Sequence, residues 1–289
     1  MAFGTFRGVP DPTFGEAEYV RTRFHAAPDC AWAAEVDGEV VGSVFAARWG
    51  SFGFFGPLTI HPDVWGRGLG SRLLEPVIEA FDSWGIAQAG LFTFPNSAKH
   101  IGLYQKHGFW PRLLTAVMAK PVAGAAIDYV TFSRLPATEH AGALAAVREL
   151  TEAVFPGLDL EREIRACEAQ RIGDTVLLSD EGGLAGFAIC HLGAGSEAGA
   201  RACYVKFGAV RPGAEAARRF EGLLDACEAL AASSGLDRLV AGVSTGRLDA
   251  YRRMLRRGFR ADPIGVAMYR RPDGPTFDTP AHYVIDDLR

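Results

Sequence analysis

The chain has 289 residues, 48% of them hydrophobic, and 34 acidic against 30 basic side chains give a formal net charge of −4. That length suggests two domains with full cores; no run approaches the roughly 20 apolar residues of a membrane span, and without a basic block there is no electrostatic footing for nucleic acid. Five scattered cysteines (30, 167, 190, 203 and 227) include no Cys-x-x-Cys pair, and with no basic-then-apolar leader at the start this predicts a cytoplasmic protein without a metal site.

In chain order, strands Ala31–Val36 and Glu39–Arg48 join at Asp37-Gly38, a strong hairpin signal. Gly53–Ile60 is the next predicted strand. Helix Gly66–Trp84 follows, with Leu69, Leu73, Leu74, Val77, Ile78 and Phe81 on one face. Then come strand Gln88–Phe94, helix Ser97–His107 and strand Arg112–Lys120, with Asn96 a natural N-cap and Gly108 a natural stop. A small-residue linker over Lys120–Ala126 leads to strand Tyr129–Leu135 and helix Glu139–Val154. Strand Cys203–Val210, helix Ala214–Ser233, strand Arg238–Val243, helix Arg247–Arg257 and a short candidate strand, His282–Ile285, complete the reading. Strands interleaved with helices make the class α/β (α+β).

The most informative stretch is the turn at Gly66, Gly68 and Gly70. Glycines let backbone approach an anion closely, and the helix that follows offers unpaired N–H groups at its positive end. A dinucleotide fold needs Gly-x-Gly-x-x-Gly and an acid at the end of the next strand. Here Ser71 holds the third glycine's position and Gln88–Phe94 carries no acid. The Gly-Lys-Ser/Thr of a nucleoside-triphosphate loop is also absent. About 30 residues on stands Asn96-Ser-Ala-Lys-His-Ile-Gly-Leu-Tyr-Gln-Lys-His-Gly-Phe109.

This pair of motifs resembles the GNAT-type N-acetyltransferase superfamily, whose members carry Arg/Gln-x-x-Gly-x-Gly/Ala, then Asn, a Tyr about eight residues later, and Gly-Phe. The resemblance covers residues 31 to 118, and departs at Trp65, which stands in the Arg/Gln position. It implies a splayed, mixed, largely antiparallel sheet, and acetyl-CoA as co-substrate with no metal. Its phosphates would lie on the backbone of Trp65, Gly66, Arg67, Gly68, Leu69, Gly70 and Ser71, and Asn96 would be a further ligand. The pantetheine arm would pair with Leu58, Thr59 and Ile60 like an extra strand, and Tyr104 would be the general acid. Arg67, Arg72 and Lys99 can also reach phosphate.

The chain repeats itself at a shift of 150: Pro62, Leu73, Leu74, Gly85, Gly108 and Phe109 meet Pro212, Leu223, Leu224, Gly235, Gly258 and Phe259. Two tandem GNAT-like domains are therefore expected, 1–122 and 127–289. The copies are not chemically equal. Gly66, Gly68 and Gly70 become Ala216, Arg218 and Phe220, Asn96 becomes Gly246, and Tyr104 becomes Met254. The second copy reads as degenerate, with a structural role, a share in the acceptor cleft or a part in oligomerisation. The first copy lacks an equivalent of strand Tyr129–Leu135, Met1–Phe6 reading as the tail of its first helix. The bare sheet edge this leaves is compatible with a homodimer.

The acceptor is expected to be a small-molecule or peptide amine, and the sequence does not name it. A phenol near pKa 10 can protonate a leaving thiolate near 8.5, although Tyr104 is equally an amphipathic core residue by spacing alone. No carboxylate lies on Ser51–Ile60 to act as base; His25, Glu35, His61 and His100 are alternatives. Phe52, Phe54, Phe55, Phe92 and Phe94 either pack the core or line an acceptor pocket. A non-catalytic acyl-CoA-binding or regulatory module remains the alternative reading.

Overall fold

The computed structural model describes residues 16–124, 127, 129–271 and 276–289. The first half runs through α1 (Tyr19–Ala26), β1 (Ala31–Val36), β2 (Glu39–Trp49), β3 (Phe52–Phe55), β4 (Thr59–Ile60), α2 (Leu69–Ser83), β5 (Gln88–Thr93), α3 (Ala98–Lys106) and β6 (Trp110–Pro121). The second runs through β7 (Val130–Thr131), α4 (Ala137–Val154), α5 (Glu161–Gln170), β8 (Gly173–Asp180) and β9 (Gly183–Leu192). It ends with β10 (Ala202–Val210), α6 (Ala216–Ser233), β11 (Arg238–Ser244), α7 (Leu248–Arg256), β12 (Arg260–Arg270) and β13 (Val284–Ile285). From β5 and β11 onward the 150-residue spacing holds: α3 and α7 begin at 98 and 248, β6 and β12 at 110 and 260.

All strands join one mixed, largely antiparallel sheet in the order β1-β2-β3-β5-β12-β6-β11-β10-β9-β8-β7, with β4 on β2 and β13 on β10. Among the described residues, only β3–β5 and β10–β11 are parallel. The long last strand of each half crosses to the other: β12 pairs with β5 of the first half, and β6 with β11 of the second. β6 and β12 also pair with each other at the centre. The halves are thus interlocked.

Helix α2 exists because its apolar side chains recur at helical spacing; Leu73, Leu74, Val77 and Phe81 are buried and pack with Tyr104 and Phe109 on one face of the first half. Val266 and Met268 of β12 complete that core. Phe220, Leu223, Leu224 and Cys227 of α6 fill the matching core of the second half. The opposite face is shared: Trp49, Phe52 and Phe54 of the first half pack with Leu150, Phe155, Phe207 and Phe277 of the second.

Several expectations are corrected. The strand expected over Gly53–Ile60 is two pieces, β3 and β4, because Gly56-Pro57 interrupts it and shifts the register on β2 by one residue, from Ala46↔Phe55 to Ser43↔Thr59. The α2 helix starts at Leu69, not Gly66, since Gly66 and Gly68 hold φ of +82° and +77°. Ser97, not Asn96, caps α3, its hydroxyl accepting from the His100 N–H. The strand expected over Tyr129–Leu135 spans only Val130–Thr131 before a 3-10 turn. Met1–Phe6, and Ala125 and Ala126 of the linker, lie outside the described residues. The C-terminal strand is present as β13 and closes its own half.

Candidate active site

The first half opens a wedge. β3 pairs with β5 at Phe52–Gln88, Gly53–Ala89 and Phe54–Gly90 and then parts from it. Thr59 and Ile60 turn to β2, while Leu91, Phe92 and Thr93 pair on their far side with β12. Two strand edges therefore face each other without bridging. The cavity between them encloses about 610 Å³ and is lined here by Phe55, Leu58, Thr59, Phe92, Thr93, Phe94, His100 and Tyr104.

The glycine turn follows β4 and precedes α2, and none of residues 65–71 lines the cavity. Among the described residues, the amides of 66 to 70 donate to no backbone carbonyl, so a run of N–H groups stands before the positive end of α2. Gly66 and Gly68 hold positive φ with open space around them, so these amides are uncovered by side chains, the geometry in which backbone N–H groups can meet an anion. Trp65 differs from expectation: its amide donates to the Pro62 carbonyl at 3.1 Å, because residues 62–64 form a 3-10 turn. Its indole N–H instead ties the loop to the Ile60 carbonyl at 2.8 Å, and Lys99 Nζ sits 4.3 Å over its ring. Ser71 Oγ meets His107 Nε2 at 2.8 Å. Asn96 is exposed.

The corresponding turn in the second half is wound shut. α6 begins at Ala216, three residues earlier than the 150-residue spacing would place it, and Ala216 and Phe220 are buried. Glu215 at its N-cap is paired with Arg218 at 2.7 Å. A carboxylate and a packed phenyl ring stand where backbone would need to be bare.

Tyr104 is 7% exposed and faces the cavity. Its ring packs edge-on to Phe55 at 5.7 Å. Burial pushes its pKa up to about 12, against a smaller opposing effect of a hydrogen bond with Thr93. It stays a protonated donor at any physiological pH. Of the four base candidates, only His100 lines the cavity; its Nδ1 lies 2.7 Å from Ser97 Oγ, and burial lowers its pKa. His61 is a turn residue whose Nδ1 accepts the Asp63 N–H. The aromatic cluster divides, Phe52 and Phe54 going to the shared core and Phe55, Phe92 and Phe94 to the cavity wall.

The far wall comes from the second half, from residues that sequence reasoning passed over. β9 and β10 are joined by residues 193–201, whereas β2 and β3 are joined by two residues. This extra loop reaches across to α1. Ser196 accepts the Glu18 N–H at 2.9 Å, and Glu197 binds Arg23 at 3.0 and 3.1 Å and Lys206 at 2.6 Å. Burial alone would raise the Glu197 carboxyl; Arg23 and Lys206 outweigh it and hold the group well below the usual carboxylate range. Arg23 also donates to the Gly56 carbonyl at the strand break. Tyr204, Arg238, Leu288 and Arg289 complete this wall.

Residues 5–109 match the Acetyltransferase (GNAT) family. The match covers 105 of the 289 residues, and over that stretch the chain is similar to the family. An acetyltransferase of Pectobacterium atrosepticum is 34% identical over 79 residues, which cover 27% of this chain and 56% of that protein. The chain thus spans just over half the length of that curated relative. Among solved structures, an assigned acetyltransferase of Pyrococcus horikoshii matches at TM-score 0.67 and 16% identity, covering 93% of this chain and 83% of that one. A GCN5-related N-acetyltransferase of Sphaerobacter thermophilus matches at TM-score 0.55 and 18% identity, covering 93% and 85%. At these identities the two structures speak to the GNAT fold, and they do so across nearly the whole chain. Among the described residues, no helix is long and apolar enough to cross a membrane, and no cluster of metal-ligating side chains occurs.

Proposed function

We propose that the protein is an acetyl-CoA-dependent N-acetyltransferase acting on an amine of a small molecule or peptide. The chemistry is assigned to residues 1–122, and residues 127–289 are read as a degenerate second copy. The observation that carries this reading is one continuous stretch of chain offering an anion nest, a strand wedge and a buried phenol. Bare amides at 66–70 suit a pyrophosphate, the open edges of Leu58–Ile60 and Leu91–Thr93 suit an extended amide-bearing arm, and Tyr104 stands in the same cavity.

In acetyl transfer the amine nitrogen bonds to the thioester carbon, the carbon–sulfur bond breaks, and the departing sulfur needs a proton. Tyr104 is the donor in this reading. Phenol and thiol differ by about 1.5 units in water; burial raises both, so the hydrogen bond strengthens as charge develops on sulfur. Glu197 is no general base, because Arg23 and Lys206 hold it ionised and weakly basic. His100, whose pKa burial lowers, is the one of the four base candidates that lines the cavity. A non-catalytic acyl-CoA sensor is the competing reading, and turnover separates the two.

Calorimetric titration with acetyl-CoA is expected to give one site per chain, followed by thiol release on a panel of amines. No binding, or two sites per chain, would overturn the assignment. Binding without turnover on any amine would favour the sensor.

A further inference from the structure

The second half closes its own wedge with its own chain. β13 runs antiparallel to β10, pairing with Gly208 and Ala209, and the Asp286 N–H donates across to the Gly242 carbonyl of β11 at 2.9 Å. Gly208 and Ala209 stand 150 residues after Leu58 and Thr59, whose edge is open in the first half. An extended segment thus lies in the second half where the first offers room for an extended ligand. Glycine is needed at 242, since a Cβ there would stand 2.2 Å from the Asp287 Cβ.

Past the wedge the same segment enters the shared cavity at Leu288 and Arg289. One guanidinium, that of Arg23, donates to the main-chain oxygens of both Gly56 and Arg289. Arg289 therefore lies within a single side chain's span of the strand break in the first half. Its own guanidinium is held from behind. Nε is 3.0 Å from Asp287 Oδ2, the group stacks 4.8 Å over the Tyr204 ring, and the Tyr204 hydroxyl donates to Asp287 Oδ1 at 2.8 Å. Among the described residues its Nη1 and Nη2 make no hydrogen bond. The other arginines of this wall differ: Arg201 is tied to Asp237, and Arg238 is exposed. A planar cation fixed at its inner edge and open at its outer one is built for a carboxylate.

We propose that Arg289 anchors the acceptor, and that the acceptor is an amine that also bears a carboxylate, as an amino acid or a peptide does. The amine rests on the acetyl-transfer reading; the carboxylate contact does not. Arg289 sets specificity from the second half while Tyr104 works from the first.

Binding of product-like probes tests this without turnover. Calorimetry with CoA present would compare N-acetyl derivatives of glycine, alanine, leucine and phenylalanine with their carboxylate-free counterparts. At least one acid should bind about tenfold or more tightly than its match. Arg289→Gln should bring that ratio to about one and Arg289→Lys should keep part of it, both still melting cooperatively and with unaltered CoA affinity, although Arg289→Gln should melt lower because it takes the cation from buried Asp287. The proposal fails if no acid outbinds its match, if Arg289→Gln keeps the preference in a folded protein, or if Arg238→Gln is the variant that loses it. Should acetyl-CoA itself not bind while the preference holds, the acetyl-transfer reading falls and the carboxylate site stands.

Discussion

Glu197→Gln tests how firmly charge locks the two halves together. The carboxylate is 3% exposed and is the common partner of Arg23 and Lys206, themselves 8% and 3% exposed. Gln keeps the shape but leaves two buried cations without their anion. Breaking a buried pair from one side costs about 3–5 kcal/mol, and at about 2–4 °C per kcal/mol for a chain near this size the melting temperature should fall by about 6–20 °C. The double variant Glu197→Gln/Lys206→Met should be more stable than Glu197→Gln alone, because one stranded charge is gone. Thermal melts of the three proteins at pH 7 supply the comparison. A drop of less than about 1 kcal/mol for the single variant, with no coupling to Lys206, would show that the cluster is solvated and that the loop at 193–201 is not a clamp.

Three further outcomes follow from the site and its surroundings. Gly68→Arg introduces a side chain at φ +77° into open space, so it should cost only about 1–2 kcal/mol of stability yet remove acetyl-CoA binding in calorimetry; unchanged affinity would place the phosphate elsewhere. Tyr104→Phe should lower kcat by about 10²–10⁴ with acetyl-CoA affinity unchanged, and a full-rate variant would return Tyr104 to a packing role. Asp286, fully enclosed, has its carboxyl pushed up to about 7 by burial and then by Asp287. A raised carboxyl pKa gives stability that is complete below the unfolded value near 4 and lost as pH rises to 7. The loss is on the order of 4 kcal/mol, so Asp286→Asn should raise the melting temperature at pH 8 and leave it unchanged at pH 4. A gain confined to pH 4 would reverse the sign of the argument.

The sequence is most legible where periodicity is strong. The helices at 69–83 and 98–106, their counterparts 150 residues later, and the strands between them lie within a few residues of expectation. Helix α1 was invisible because its buried side chains are Thr22 and Arg23, which read as surface. The loop at 193–201 is rich in Gly, Ala and Ser and reads as a connector, although it delivers Glu197 to the cavity. β8, β9 and β12 carried no expectation, and the exchange of β6 with β12 was beyond reach for a different reason. The two strands occupy equivalent places in the repeat, so nothing in either pattern says which half each one joins. Tyr104 and the glycines at 66, 68 and 70 were legible as candidates because their spacing is local. The far wall of the cavity was missed because its members, Glu197, Tyr204, Arg238 and Arg289 among them, meet only in three dimensions.

The exchange has a consequence for dissection of the chain. β12 lies between β5 and β6, and Val266, Ala267, Met268 and Tyr269 are at most 5% exposed. Burial of the Val, Met and Tyr side chains is worth roughly 1.5–3 kcal/mol each, and removing β12 also strips five paired positions from β5. The combined loss of about 5–9 kcal/mol approaches the entire stability of an ordinary domain. A fragment ending at residue 122 should therefore show no cooperative melt and no acetyl-CoA binding, although it contains the nest, the wedge strands and Tyr104. Co-expression with residues 127–289 should restore both, since β12 then returns to its place. A fragment of residues 1–122 that melts cooperatively and binds acetyl-CoA alone would mean that β6 can fold back beside β5, and that the interlock is dispensable to the site.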